Sequence, residues 1–129
     1  MKTNKFVFIC NNDKWNFFEN VKEEGHIEAW KCSKSVKLGD EFYIHLGGHS
    51  VKEKGVIASG IVVSNSYIDE EEDRLVVDLQ INRIFEKPVF KFRQGMYQVQ
   101  GSCGKVRDEV AKEIDKEIDK VLPIKVDNM

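Results

Sequence analysis

The chain has 129 residues, 41% hydrophobic and 10% aromatic, with 20 Lys and Arg against 22 Asp and Glu for a net charge of −2. That length fits one domain over residues 1–129 with a genuine core, and the supply of Leu, Ile, Val and Phe excludes a disordered chain. Near-neutral charge excludes a protein that coats nucleic acid by bulk charge, while leaving room for a local basic groove.

KFVFIC (5–10) is apolar on both faces and predicts a strand buried on two sides. NND follows, with Asn12 or Asp13 as the N-cap of a helix. Trp15, Phe18 and Val21 recur at three-residue steps on its apolar face, and Gly25 stops it. Residues 26–40 read as irregular chain carrying Trp30, with Gly39-Asp40 as a turn. In EFYIHLGG, Phe42, Ile44 and Leu46 alternate with polar positions, which predicts a strand with one core face. GGHSVKEKG is a hairpin loop, and VIASGIVVS is a strand whose Gly60 marks a bulge or barrel corner.

NSYIDEEED reads as a solvated acidic loop without calcium-loop spacing. RLVVDLQIN is the cleanest alternating strand in the chain. Pro88 restricts RIFEKPVFKF to an edge or bulge, and MYQVQ (96–100) predicts a last short strand. In GKVRDEVAKEIDKEIDKVL, Val106, Val110, Ile114, Ile118 and Leu122 form a four-residue stripe, and Pro123 ends that helix. Short strands with glycine kinks and few helices imply an α+β fold: a small, strongly bent mixed β-barrel of about five to six strands flanked by helices.

Cys10, Cys32 and Cys103 are far apart, with no CxxC and no histidine at zinc-ligand spacing. No metal or other cofactor is therefore expected, and an odd cysteine count fits a reduced, cytoplasmic protein. The first residues lack the apolar core of a leader peptide, and no run approaches the ~18 apolar residues of a membrane span. No hydrolase, phosphate-binding or dinucleotide motif occurs, so the expectation is a binding module without catalysis. Cys32 beside Lys31 and Lys34 would have a lowered pKa if exposed, yet no base is at hand to activate it.

What remains suits recognition. Asn11 and Asn12 follow the first strand, where their amides either cap the helix or bond a ligand edge. Trp30 is flanked by Lys31, Lys34 and Lys37. It either seals the barrel end or offers a face to a planar ring with phosphates nearby. A second basic group runs through Arg83, Lys87, Lys91, Arg93, Lys105 and Arg107, and would form a groove if it shared a face with the first.

FVFICNNDKW, GHIEAWKC, LGDEFYIHLGG and GVIASGIVVS together resemble the PUA-like superfamily, and within it the EVE domains and their YTH relatives. The likeness covers residues 5–65. It implies a nucleic-acid partner, DNA or RNA, carrying a modified, foremost a methylated, base that is flipped into an aromatic pocket. By position, Trp30 would be one wall and Tyr67 another, and Asn11 and Asn12 would bond the base edge. Lys31, Cys32 and Ser33 would line the pocket, and Arg93, Gln100 and Ser102 would contact nucleic acid. The resemblance also implies a nuclease or other effector partner in a prokaryotic restriction or defence setting. Cys10 stands where YTH relatives carry a lysine, and their second pocket tryptophan has no clear counterpart. Two alternatives follow: an ASCH-like hydrolase of a modified nucleoside using Lys31 and a carboxylate, and a protein-interaction domain with an exposed apolar patch.

Overall fold

The computed structural model describes residues 4–92 and 103–121. Its elements run β1 (Lys5–Asn11), α1 (Phe17–Asn20), β2 (His26–Lys31), β3 (Glu41–Gly47), β4 (Gly55–Val62), β5 (Tyr67–Asp69), β6 (Arg74–Ile84), β7 (Cys103–Lys105) and α2 (Asp108–Val121). The strands form one strongly curled mixed sheet in the order β2-β6-β4-β3-β1-β7, a half-barrel, with β5 also paired to β6. Among the described strands only β1 and β3 pair in parallel.

The middle of the sheet, at β1 and β3, is buried on both faces, which explains its sequence. Inside the curl, Phe6, Phe8, Phe42, Ile44, Leu79 and Ile81 pack with Phe17, Val21 and Val36. Outside it, Val7, Tyr43 and Val56 pack under Val110, Ala111, Ile114 and Ile118 of α2. A fully buried Ile or Phe contributes roughly 1.5–3 kcal/mol, so α2 is held chiefly by this apolar stripe. Tyr43 adds a polar fastening. Its hydroxyl donates to Asp115 Oδ1 at 2.6 Å, and Lys5 Nζ meets Asp115 Oδ2 at 2.7 Å. Hence β3, expected to have one core face, has two.

β1, β3, β4, β6 and the α2 stripe from Val110 to Ile118 stand where the sequence predicts them. Gly60 does sit at a bulge, where the β4–β6 register shifts between Ser59 and Gly60. The first helix differs. It is four residues long, its N-cap is Asn16, and it buries Phe17 while Phe18 is exposed. Asn12 and Asp13 instead belong to the turn before it. Residues 26–31, expected to be irregular, form β2, antiparallel to β6. Part of the acidic loop is strand β5. The predicted strand 96–100, Leu122 and Pro123 lie outside the described residues. Among the described residues no helix is long and apolar enough to cross a membrane.

Candidate functional site

Asn11 ends β1 and opens a tight turn. Its carbonyl accepts from Lys14 N and Trp15 N, both at 3.0 Å, and its Oδ1 accepts from Asp13 N at 3.0 Å. Asparagine suits such a turn because its side chain replaces a backbone acceptor. Asn12 N donates to Gly47 O at 2.8 Å, while Asn12 Oδ1 accepts from Phe17 N at 2.9 Å. Asp13 ties the turn to the β3–β4 loop. Its carboxylate accepts from His49 N at 2.5 Å, from Ser50 N at 3.1 Å and from the Ser50 hydroxyl. These bonds, those of Ser50 foremost, hold its pKa below the ordinary carboxylate value. Gly48 has φ +122°, and a Cβ there would stand 3.0 Å from Asp13 Oδ2 and 3.1 Å from Asn11 Oδ1. The clasp therefore requires glycine.

The turn carries Trp15 across to β2. There His26, Glu28 and Trp30 are half-buried, whereas Ile27, Ala29 and Lys31 are exposed. Trp30 pairs with Val77 of the inner core, so its ring lies on the concave side of the sheet. The Trp15 and Trp30 rings meet edge to face, centroids 5.2 Å apart at 80°. Each packs against the inner core and remains partly open.

These rings line a cleft of about 430 Å3 whose wall also includes Ile9, Cys10, Asn11, Glu28 and Ala29. Lys14, Lys31 and Arg74 stand around it together with Asp69 and Glu72. With Glu28 this makes three cations and three carboxylates. Arg74 pairs with Glu72 at 3.1 Å, and His26 Nε2 donates to Glu28 Oε1 at 2.8 Å. Asn11 Nδ2 has no partner among the described residues. The arrangement can take a flat ring against indole faces and edges, bond it at an amide and a carboxylate, and place cations near an attached anion.

Of the residues singled out from sequence, Asn11, Trp30 and Lys31 come together here. Asn12 is spent on the turn. Cys32 and Ser33 lie beyond the end of β2, where Cys32 N donates to Leu75 O at 3.1 Å. Ser33 Oγ is 4.0 Å from Cys103 Sγ, which brings the two outer strands of the half-barrel near each other. Burial, reinforced by Cys103, pushes the Cys32 thiol up to about 11, against the lowering expected beside lysines. Tyr67 pairs with Val76 and its hydroxyl donates to Asp78 at 2.6 Å. Val76 and Val77 face opposite ways, so Tyr67 is on the other face of the sheet from Trp30.

Arg93, Gln100 and Ser102 lie outside the described residues. The described members of the second basic group do not line the cleft either. Arg74 and Arg83 are nine residues apart on β6, roughly 30 Å at ~3.3 Å per residue. Lys105 pairs with Phe6, at the opposite end of β1 from Asn11. The acidic cluster is a turn, closed by Asp73 N donating to Asp69 O at 2.7 Å. Among the described residues no three His, Cys, Asp or Glu side chains are grouped to hold a metal.

Lys14, Trp15, Glu28 and Arg74 are among the cleft residues that sequence reasoning missed. The signal for Glu28 was present. From Gly25 onward, HIEAWK alternates with His, Glu and Trp on one side, and a strand whose inward side is polar and aromatic does not look amphipathic.

No protein-family model matches the chain, and no curated protein matches it. Its structure is similar to that of a hypothetical protein from Leishmania major, with TM-score 0.67 and 14% identity over 92% of this chain and 97% of that one. A protein from Pseudomonas syringae has TM-score 0.61 and 14% identity over 88% and 99% of the two chains. A protein from Rhodopseudomonas palustris solved by NMR has TM-score 0.59 and 12% identity over 98% and 100%. At such identities the likeness is one of fold, and the chain shares that fold over nearly its whole length.

Proposed function

We propose that the chain is a nucleic-acid-binding module of the EVE and PUA-like kind, holding a modified, flipped-out base in the Trp15–Trp30 cleft. The observation that carries this reading is the cleft itself: two partly open indoles beside an asparagine amide with an unused donor. A stacked base contributes about 1–3 kcal/mol on an aromatic platform. The apolar wall of Ile9 and Ala29 suits a methyl group, and Lys14, Lys31 and Arg74 suit the flanking phosphates. By the same resemblance the module would serve a nuclease or other effector. The chain has two tryptophans, and both line the cleft. Tryptophan fluorescence therefore reports on this site alone. Saturable quenching by a methylated oligonucleotide, absent with the unmodified strand, supports the reading; no quenching by either refutes it.

A second reading has one observation in its favour. Lys31 and Glu28 line the same cleft, as an ASCH-like hydrolase of a modified nucleoside would require. It predicts turnover of an N-acylated cytidine, lost in Lys31→Ala; absence of turnover removes it.

A further inference from the structure

Glu28 stands two residues before Trp30 on the same side of β2 and lines the same cleft. Its side chain is 32% exposed, so part of its hydration is already gone. Oε1 accepts from His26 Nε2, which fixes the carboxylate's position, and Oε2 has no partner among the described residues. An ionised carboxylate only accepts hydrogen bonds. In the same cleft, Asn11 has committed its oxygen to Asp13 N and keeps its NH2 as a donor. The cleft thus presents a fixed acceptor and a donor beside two aromatic rings.

We infer that Glu28 determines the specificity of the cleft, selecting rings that present an amino N–H over rings that present a keto oxygen at the same position. The inference rests on the base-binding reading above and adds the chemistry of the base. A ring held in one seat by Trp15 and Trp30 would give Glu28 either a donor or an opposing oxygen. In the second case two acceptors face each other in a half-desolvated site, and the carboxylate loses its bond to water without replacement. A hydrogen bond to a charged group is worth about 1.5–3 kcal/mol, so the ratio should be tenfold or more.

The test uses single-stranded oligonucleotides that differ at one central base. One pair carries 5-methylcytosine or thymine, which share the ring methyl and differ in amino against keto. The other carries N6-methyladenine or hypoxanthine. Binding is read by tryptophan quenching on the full chain and on Glu28→Gln, which offers both an acceptor and a donor. The expected result is that the amino member of whichever pair binds does so at least about tenfold more tightly, and that Glu28→Gln brings the ratio within about twofold. Each ratio is taken on one preparation, so a partly unfolded variant cannot imitate it. Equal binding of amino and keto members, or a ratio unchanged in Glu28→Gln, overturns the inference and leaves the base-binding reading standing. No binding by any of the four strands overturns both.

Discussion

The Trp15 indole stands edge-on to that of Trp30, centroids 5.2 Å apart, and it arrives there from a different part of the chain. Trp15 is delivered by the turn after β1, Trp30 by the edge strand β2. Edge-to-face pairs contribute about 0.5–1.5 kcal/mol beyond the area they bury. Trp15→Ala should therefore destabilise the fold by roughly 2 kcal/mol and weaken ligand binding, since Trp30 loses its backing. Urea unfolding gives the first quantity and oligonucleotide titration the second. A variant that loses stability yet binds as tightly as before would show Trp15 to be core only.

Gly60 shows how a close approach dictates a residue. A Cβ there would stand 1.9 Å from Gln80 O and 2.8 Å from the Phe42 ring, so the bulge on β4 admits only glycine. Gly60→Ala should cost roughly 3 kcal/mol, measured as a shift in the urea midpoint with the slope unchanged. A shift smaller than about 1 kcal/mol would mean that β6 gives way without cost.

Much of this architecture was legible, and the reasons are local. Gly60 stood out because glycine interrupts an otherwise apolar strand, and β6 because Val77, Leu79 and Ile81 alternate with Asp78, Gln80 and Asn82. The two-sided burial of β1 followed from Phe6, Val7 and Phe8 in succession. β2 was hidden because tertiary pairing with β6, rather than its own pattern, makes it a strand. The four-residue α1 was overread because Trp15 and Phe18 fell at helical spacing while serving other ends. In the site, Trp30 and Asn11 announced themselves as residue types. Glu28 and Trp15 required knowledge of which face each occupies, and Tyr67 was excluded only by register.

His45 lies in β3 with its ring 5.8 Å from that of Phe92, and burial holds its pKa below the ordinary histidine value. The unfolded chain therefore takes up a proton near pH 6.5 that the folded chain refuses. Stability should fall as pH drops from about 6.5 toward the depressed folded value, by at most about 1.4 kcal/mol per pH unit from this group. In His45→Phe that part of the slope should vanish. Chemical denaturation of both proteins between pH 5 and 7 checks it, and parallel curves would refute it.

The cysteines should be inert in the folded protein. Burial pushes Cys10 up to about 12, Cys32 up to about 11, and Cys103 in the same direction. At pH 8 a thiol at about 11 is thiolate roughly one part in a thousand, about two-hundredfold below an ordinary cysteine. A thiol reagent should therefore label the native chain at least about a hundredfold more slowly than the unfolded one, which exposes all three thiols. Fast labelling of one native thiol would contradict this environment.

The central claim is that Trp30 forms one wall of a seat for a modified base. Its most direct measurement is the anisotropy of labelled oligonucleotides, with and without methylated cytosine or adenine, titrated with the native chain, Trp30→Phe and Trp30→Ala. The account predicts tighter binding of a methylated strand, a loss of about 1–3 kcal/mol, roughly 5- to 150-fold, in Trp30→Ala, and partial retention in Trp30→Phe. Equal and negligible binding of every strand, unchanged by Trp30→Ala, would contradict it.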